Sequence, residues 1–238
     1  MTSKSSISKL YDQISSKESH LDVLVNNAGV DSATLQTEAK SAEEMKKNCF
    51  DVRLMTPRQE RVRTALMLML ASQNEDSTIE DWQQCFQTNV PQIFFMTMCF
   101  LPLLQKASEH QHGYSGCVLN TSSISGIVHT AQHHFAYNAS KAAVIHLNKM
   151  LAYEIAQARL KIRVNSIAPG VFPSEMTAGE SDEKQKSAIP KEKYESKTSA
   201  QRPGNDRDMG NAALFVVTNQ YLNGQTIPVD GGYIVVST

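Results

Sequence analysis

Tyr137 and Lys141 stand four residues apart in Tyr137-Asn138-Ala139-Ser140-Lys141. The apolar positions that follow, Ala142, Ala143, Val144, Leu147, Met150, Leu151, Ile155 and Ala156, recur at three- and four-residue steps, a helical pattern. Residues four apart share one helix face, so the phenol and the ammonium rise side by side. A phenol of ordinary pKa about 10 is a poor proton carrier at neutral pH. A fixed cation within a few ångströms favours the phenolate and brings that pKa down. The chemistry on offer is proton transfer to or from an oxygen. The bland alternative is a solvated lysine one turn from a half-buried tyrosine.

The elements that would position this pair follow from the pattern of apolar runs. Residues 4–18 read as an amphipathic helix with Ile7, Leu10, Tyr11 and Ile14 on one stripe. Residues 21–25, 117–121, 162–167 and 226–229 read as strands. A long helical pattern opens at Trp82 and runs through Asn89 to Leu104, and another helix lies near 206–217. Strands alternating with helices of ten or more residues indicate βαβ units and a parallel sheet. In such sheets ligands collect beyond the carboxyl ends of the strands. Three strands end there in polar or turn-prone clusters: Asn26-Asn27-Ala28-Gly29, Ser122-Ser123-Ile124-Ser125-Gly126 and Pro169-Gly170. These clusters are expected on one rim, where Gly29 and Gly170 let the backbone approach a ligand.

The 238 residues suffice for one domain with a substantial core. A net charge of −1 and a pI near 6.7 give no reason to expect nucleic acid or an anionic membrane as partner. Cys49, Cys85, Cys99 and Cys117 are scattered without metal-type pairing, which suits a reducing cytoplasm. The histidines at 110, 112, 129, 133 and 134 lack a His-Glu-x-x-His or Cys/His framework, so no metal is expected. The polar start lacks the apolar core of a signal peptide. The longest apolar run, 93–104, is too short to span a bilayer. A soluble, cytoplasmic protein is expected.

Taken together, Asn26-Asn27-Ala28-Gly29, Trp82 with Thr88-Asn89-Val90, Ser123, Tyr137-x-x-x-Lys141, Pro169-Gly170 and Val229-Asp230-Gly231-Gly232 resemble the short-chain dehydrogenase/reductase family, in the family's order. The stretch 168–177, which includes Phe172 and Ser174, is similar to that of 3-oxoacyl reductases of the rhamnolipid type and their fungal relatives. The resemblance implies an α/β, Rossmann-like doubly wound parallel sheet. It implies an oxidoreductase that interconverts a carbonyl and a hydroxyl of a small molecule with NADP or NAD. Tyr137 would be the proton donor and acceptor, and Lys141 would lower its pKa and hold the cofactor ribose. Ser123 would bind the substrate oxygen, ahead of its neighbours Ser122 and Ser125. Asn89 would hold a water that links Lys141 to solvent, the alternative being an amide bonded within its own helix. Asn27, Ala28, Gly29, Pro169, Gly170, Phe172 and Ser174 would contact the cofactor. The charged stretch 178–206 would be a flexible substrate lid, with His133 and His134 near the substrate mouth. The Trp82 and Tyr137 helices would form a dimer face, and the C-terminal strand a second one, giving a dimer or tetramer.

Two departures accompany the resemblance. The family opens with three more strands and a Thr-Gly-x-x-x-Gly-x-Gly turn that cradles pyrophosphate, and no such sequence precedes Asn26. One partial, N-terminally truncated Rossmann-type domain over 1–238 is expected, with the edge of its sheet exposed. Residues 33–77 are an atypical insertion, in which 51–71 carries four arginines and then Leu66-Met67-Leu68-Met69-Leu70. Translated intron sequence or a mis-joined exon accounts for both departures better than an insertion helix covering the sheet edge. A catalytically impaired member acting through association with intact relatives is the alternative function.

Overall fold

All four expected strands form, and they lie side by side in chain order. The computed structural model describes residues 3–35, 37–50, 77–178, 182–183, 187, 189–190 and 194–236. The strands are β1 (Val23–Asn26), β2 (Gly116–Thr121), β3 (Ile162–Pro169) and β4 (Thr226–Val229), parallel throughout in the order β1-β2-β3-β4. Leu24 pairs with Val118 and Val118 with Val164, which aligns the polar ends of the strands on one rim. The helices are α1 (Lys4–Ser15), α2 (Ala42–Cys49), α3 (Ile79–Asn89), α4 (Pro91–His110), α5 (Phe135–Gln157), α6 (Glu175–Ala178), α7 (Asp206–Thr218) and α8 (Tyr233–Val236).

Successive strand residues face opposite sides of a sheet, and two separate cores result. On one face Leu24, Val118 and Val164 pack with Ile7 of α1, Phe100, Leu103 and Leu104 of α4, and Val144 and Leu151 of α5. On the other, Leu119 and Ile167 pack with Val216 of α7. Val25 shares the Leu119 face through its register with that residue but is 54% exposed, because β1 is the edge strand. A buried polar seam crosses the layers. Asn26 Nδ2 donates to Asn120 Oδ1, and Asn120 Nδ2 donates to Asn148 Oδ1, both at 2.9 Å. Satisfied amides of this kind fix register between strands and helix at little net desolvation penalty.

Several boundaries differ from expectation. The first strand begins two residues later, because the Leu21 N–H is held by the Leu103 carbonyl of α4 at 3.0 Å. The long helix from Trp82 is two helices: the first closes at Val90 (φ −110°, ψ −64°), whose N–H still reaches the Phe86 carbonyl, and Pro91 starts the second. Proline has no N–H to continue the first ladder, and it is well placed in a first turn. Residues 79–110 are long and apolar enough by length and composition to cross a membrane, yet Phe100, Leu103 and Leu104 are buried against the sheet. Within 33–77, the stretch expected to be an insertion, α2 forms with Ala42–Lys47 exposed, while the arginine- and leucine-rich part lies outside the described residues. In the expected lid, Tyr194 and Thr198 are buried and the Ala200 N–H reaches the Gly231 carbonyl at 2.9 Å.

Candidate active site

At the end of β1 the chain turns through Asn27-Ala28-Gly29 toward α3. Thr121 Oγ1, at the end of β2, donates to Asn27 Oδ1 at 2.9 Å, and Gln92 Nε2 donates to the Ala28 carbonyl at 2.6 Å. Asn89, 1% exposed at the end of α3, takes hold of the next residue. Its Oδ1 accepts from the Val30 N–H at 2.8 Å and its Nδ2 donates to the Val30 carbonyl at 3.0 Å and to Ser140 Oγ at 2.9 Å. The amide therefore bonds across three elements rather than only within its own helix. A methyl group on Gly29 would lie 3.3 Å from both Asn89 Oδ1 and Lys141 Nζ, so the glycine leaves a notch between them.

Tyr137 and Lys141 sit on the first turns of α5, whose buried stripe of Ala136, Ser140, Lys141, Val144 and Asn148 faces the sheet. Lys141 Nζ donates to the Thr121 carbonyl at 3.1 Å and lies 5.6 Å from the Tyr137 ring centroid. The charge effect inferred from spacing is not the one that wins. Burial pushes the Tyr137 phenol up to about 12, against the opposing hydrogen bond with Ser123 and with added push from Asp31 and Cys85. Burial also takes the Lys141 ammonium down to about 8, opposed by Cys85. Both groups are withdrawn from water, and desolvation disfavours the charged form of each. Spacing shows proximity, but not how much water both groups lose.

The three candidate serines separate cleanly. Ser122 Oγ points into the sheet, donating to the Ile167 carbonyl at 3.0 Å and accepting from Ser166 Oγ at 2.8 Å. Ser125 Oγ reaches Gln132 Oε1 at 3.4 Å. Of the three, Ser123 is the one that acts on the Tyr137 phenol, holding its pKa down against burial, while its Oγ accepts the Ser125 N–H at 3.1 Å. On the far side of the rim Gly170 is wedged 2.7 Å (as a virtual Cβ) from Asp230 Cα, so its smallness serves backbone packing. Phe172 lies against Gly204, and Ser174 is exposed and tied to Thr177, its N–H reaching Thr177 Oγ1 at 2.9 Å.

Two residues that sequence reasoning passed over complete the surroundings. Asp31 Oδ1 lies 3.0 Å from His134 Nδ1, and Ser32 Oγ accepts the Tyr137 N–H at 3.2 Å. The one signal for them was their place directly after the Gly29 turn. His133 and His134 both meet this same segment, His133 Nδ1 lying 2.9 Å from the Leu35 carbonyl. Among the described residues no cluster of three or more metal-ligating side chains occurs.

The sequence profile of the family described as enoyl-(acyl carrier protein) reductase matches residues 62–234. The chain belongs to the short-chain dehydrogenase/reductase family. It is 38% identical over 160 residues to the short-chain dehydrogenase/reductase PhomF of Diaporthe leptostromiformis, covering 65% of this chain and 53% of that protein. It is 32% identical over 166 residues to the rhamnolipids biosynthesis 3-oxoacyl-[acyl-carrier-protein] reductase of Pseudomonas aeruginosa, covering 67% of this chain and 60% of that protein. The match thus spans little more than half the length of these short-chain reductases. Among solved structures, the Pseudomonas aeruginosa RhlG/NADP active-site complex superposes with a TM-score of 0.69 at 26% identity, over 98% of this chain and 73% of that one. ElxO with NADP bound superposes at 0.68 and 25% identity, over 98% and 75%. These likenesses establish the Rossmann-like fold and an oxidoreductase family whose members bind NADP.

Proposed function

We propose that this chain interconverts a carbonyl and a hydroxyl of a small molecule with NADP or NAD, Tyr137 carrying the proton. The observation that carries the reading is the meeting of Ser123, Tyr137 and Lys141 beside the Gly29 notch, at the carboxyl ends of parallel strands. A bound nicotinamide would supply or accept the hydride. Lys141 and Asn27-Ala28-Gly29 would hold its ribose side, and Pro169-Gly170 with Phe172 and Ser174 its ring side. These residues fit the nicotinamide and ribose half of the cofactor.

Ser123 would donate to the substrate oxygen and hold it against the phenol, where charge develops. A phenol held up to about 12 keeps its proton at neutral pH, which suits delivery to a forming alkoxide. Asn89 would fix the Gly29 turn beside Lys141, and the lone pair left on its Oδ1 is where a proton-relay water would bind.

The runner-up is an impaired member that acts by associating with intact relatives. The 54% exposed Val25 on the edge strand favours it, as do the exposed Trp82, Met150 and Tyr153 on α3 and α5. The same side chains would serve a homodimer. Titration with NADPH and NADH, followed by nicotinamide fluorescence, separates the readings. Saturable binding, with ketone reduction lost in Tyr137→Phe, is the expected result. No fluorescence change at millimolar cofactor overturns the catalytic reading for this chain.

A further inference from the structure

We propose that Asp31 and Ser32 form an external cap on the catalytic helix, with His134 as the latch, and that this cap positions Tyr137. The first turn of an α-helix leaves N–H groups without partners, and the residue just before it normally supplies a side-chain acceptor. Here that residue is His134, and it makes no such bond. The acceptor comes from a different segment, where Ser32 Oγ receives the Tyr137 N–H at 3.2 Å. Asp31 Oδ1 lies 3.0 Å from His134 Nδ1, an ion-pair distance once the imidazole is protonated, and its negative charge lies where a helix N-terminus favours one.

The capping segment is itself anchored at both ends. Val30 is gripped by Asn89, and the Ala33 N–H donates to Asp81 Oδ1 at 2.9 Å. Across from it, Gln132 (φ 50°) and His133 (φ 70°) adopt left-handed backbone that side-chain-bearing residues rarely take. The Leu35 N–H to the His133 carbonyl at 2.8 Å holds them there. The turn before the Tyr137 helix is therefore shaped against this segment, which also continues the Gly29 notch. Asp31 is the charged group that acts on His134, and it also acts on Cys85 of α3 and Tyr137 of α5, with Asp81 and Lys141 beside Cys85, while His133 turns toward Leu35 and Thr37. Among them Asp31 acts on both partners, raising the His134 pKa chiefly through their contact and adding to the rise at Tyr137.

The inference rests on the reading of Tyr137 as proton carrier, but its test does not need activity. The full chain, labelled with 13C at tyrosine Cζ and histidine Cε1, is titrated by NMR, with Tyr137→Phe and His134→Gln giving the assignments. In Asp31→Asn the His134 and Tyr137 midpoints should both fall. In Ser32→Ala both midpoints should stay, while exchange of the Tyr137 amide proton quickens roughly fivefold, as for a lost N-cap bond. Should Asp31→Asn fail to fold, His134→Gln is expected to speed the same amide. Unchanged titrations in Asp31→Asn, or an unchanged Tyr137 amide in Ser32→Ala, overturn the proposal. Absence of reductase activity with these shifts present would instead count against the proposed function alone.

Discussion

Asn89 and Val30 are joined like neighbouring residues of a sheet, the side-chain amide of one matching both backbone groups of the other, at 2.8 and 3.0 Å. Removing a buried partner leaves the other unsatisfied, which costs about 1–3 kcal/mol. Asn89→Ala should therefore lower stability by about that amount in urea unfolding. Asn89→Asp keeps the acceptor for the Val30 N–H but not the donors, so it should recover only part of the loss.

Gly29→Ala tests the notch. Its new methyl would sit 3.3 Å from Asn89 Oδ1 and Lys141 Nζ, so one of them must give way by a few tenths of an ångström. Small displacements of groups that orient reactants lower rate strongly. The expected outcome is a fall in kcat/KM of roughly tenfold with little change in melting temperature. The measurement is steady-state reduction of a ketone substrate alongside a thermal melt.

How far this site could be read without coordinates depended on the range of the interaction. Strands such as 117–121 were legible because an apolar run met a polar cluster, and both are local properties. The convergence of Asn27, Ser123 and Pro169 on one rim followed from parallel pairing alone. The Ser32 bond to Tyr137 was not legible, since it joins residues 105 apart and an Asp-Ser pair after glycine reads as ordinary loop. The raised Tyr137 pKa was misjudged for a related reason: helical spacing places Lys141 nearby, but desolvation depends on every element packed over the pair.

Burial of Lys141 makes stability depend on pH with a sign opposite to the usual lysine. Its folded pKa is about 8, below the ordinary 10.5, and the side chain is 4% exposed. Between those values the unfolded chain keeps a proton that the folded chain has lost, so stability rises with pH. Lys141→Met abolishes that rise. The stability of wild type relative to Lys141→Met should thus increase by about 2–3 kcal/mol between pH 7 and about 10. Tyr137 acts oppositely, since a raised phenol pKa withdraws stability as pH climbs from about 10 toward 12. Urea unfolding of both proteins from pH 7 to about 10 reads the lysine effect before the tyrosine one begins. A constant difference across that window would contradict it.

The adjacent serines offer the sharpest separation of chemistry from architecture. Ser122 is 2% exposed and bonded to Ile167 and Ser166 inside the sheet, whereas Ser123 faces the Tyr137 side chain. Ser123→Ala should lower kcat by about 10²-fold, the typical effect of deleting one donor at a developing oxyanion. Since the Ser123 hydrogen bond holds the phenol down, the same variant should also raise the Tyr137 midpoint further. Ser122→Ala should leave kcat near wild type and instead lower stability by about 1–3 kcal/mol, because Ser166 Oγ loses its nearer acceptor and the Ile167 carbonyl the Ser122 donor. Kinetics and unfolding on the two variants decide the assignment: a kcat loss confined to Ser122→Ala would move the substrate-binding hydroxyl from Ser123 to its neighbour.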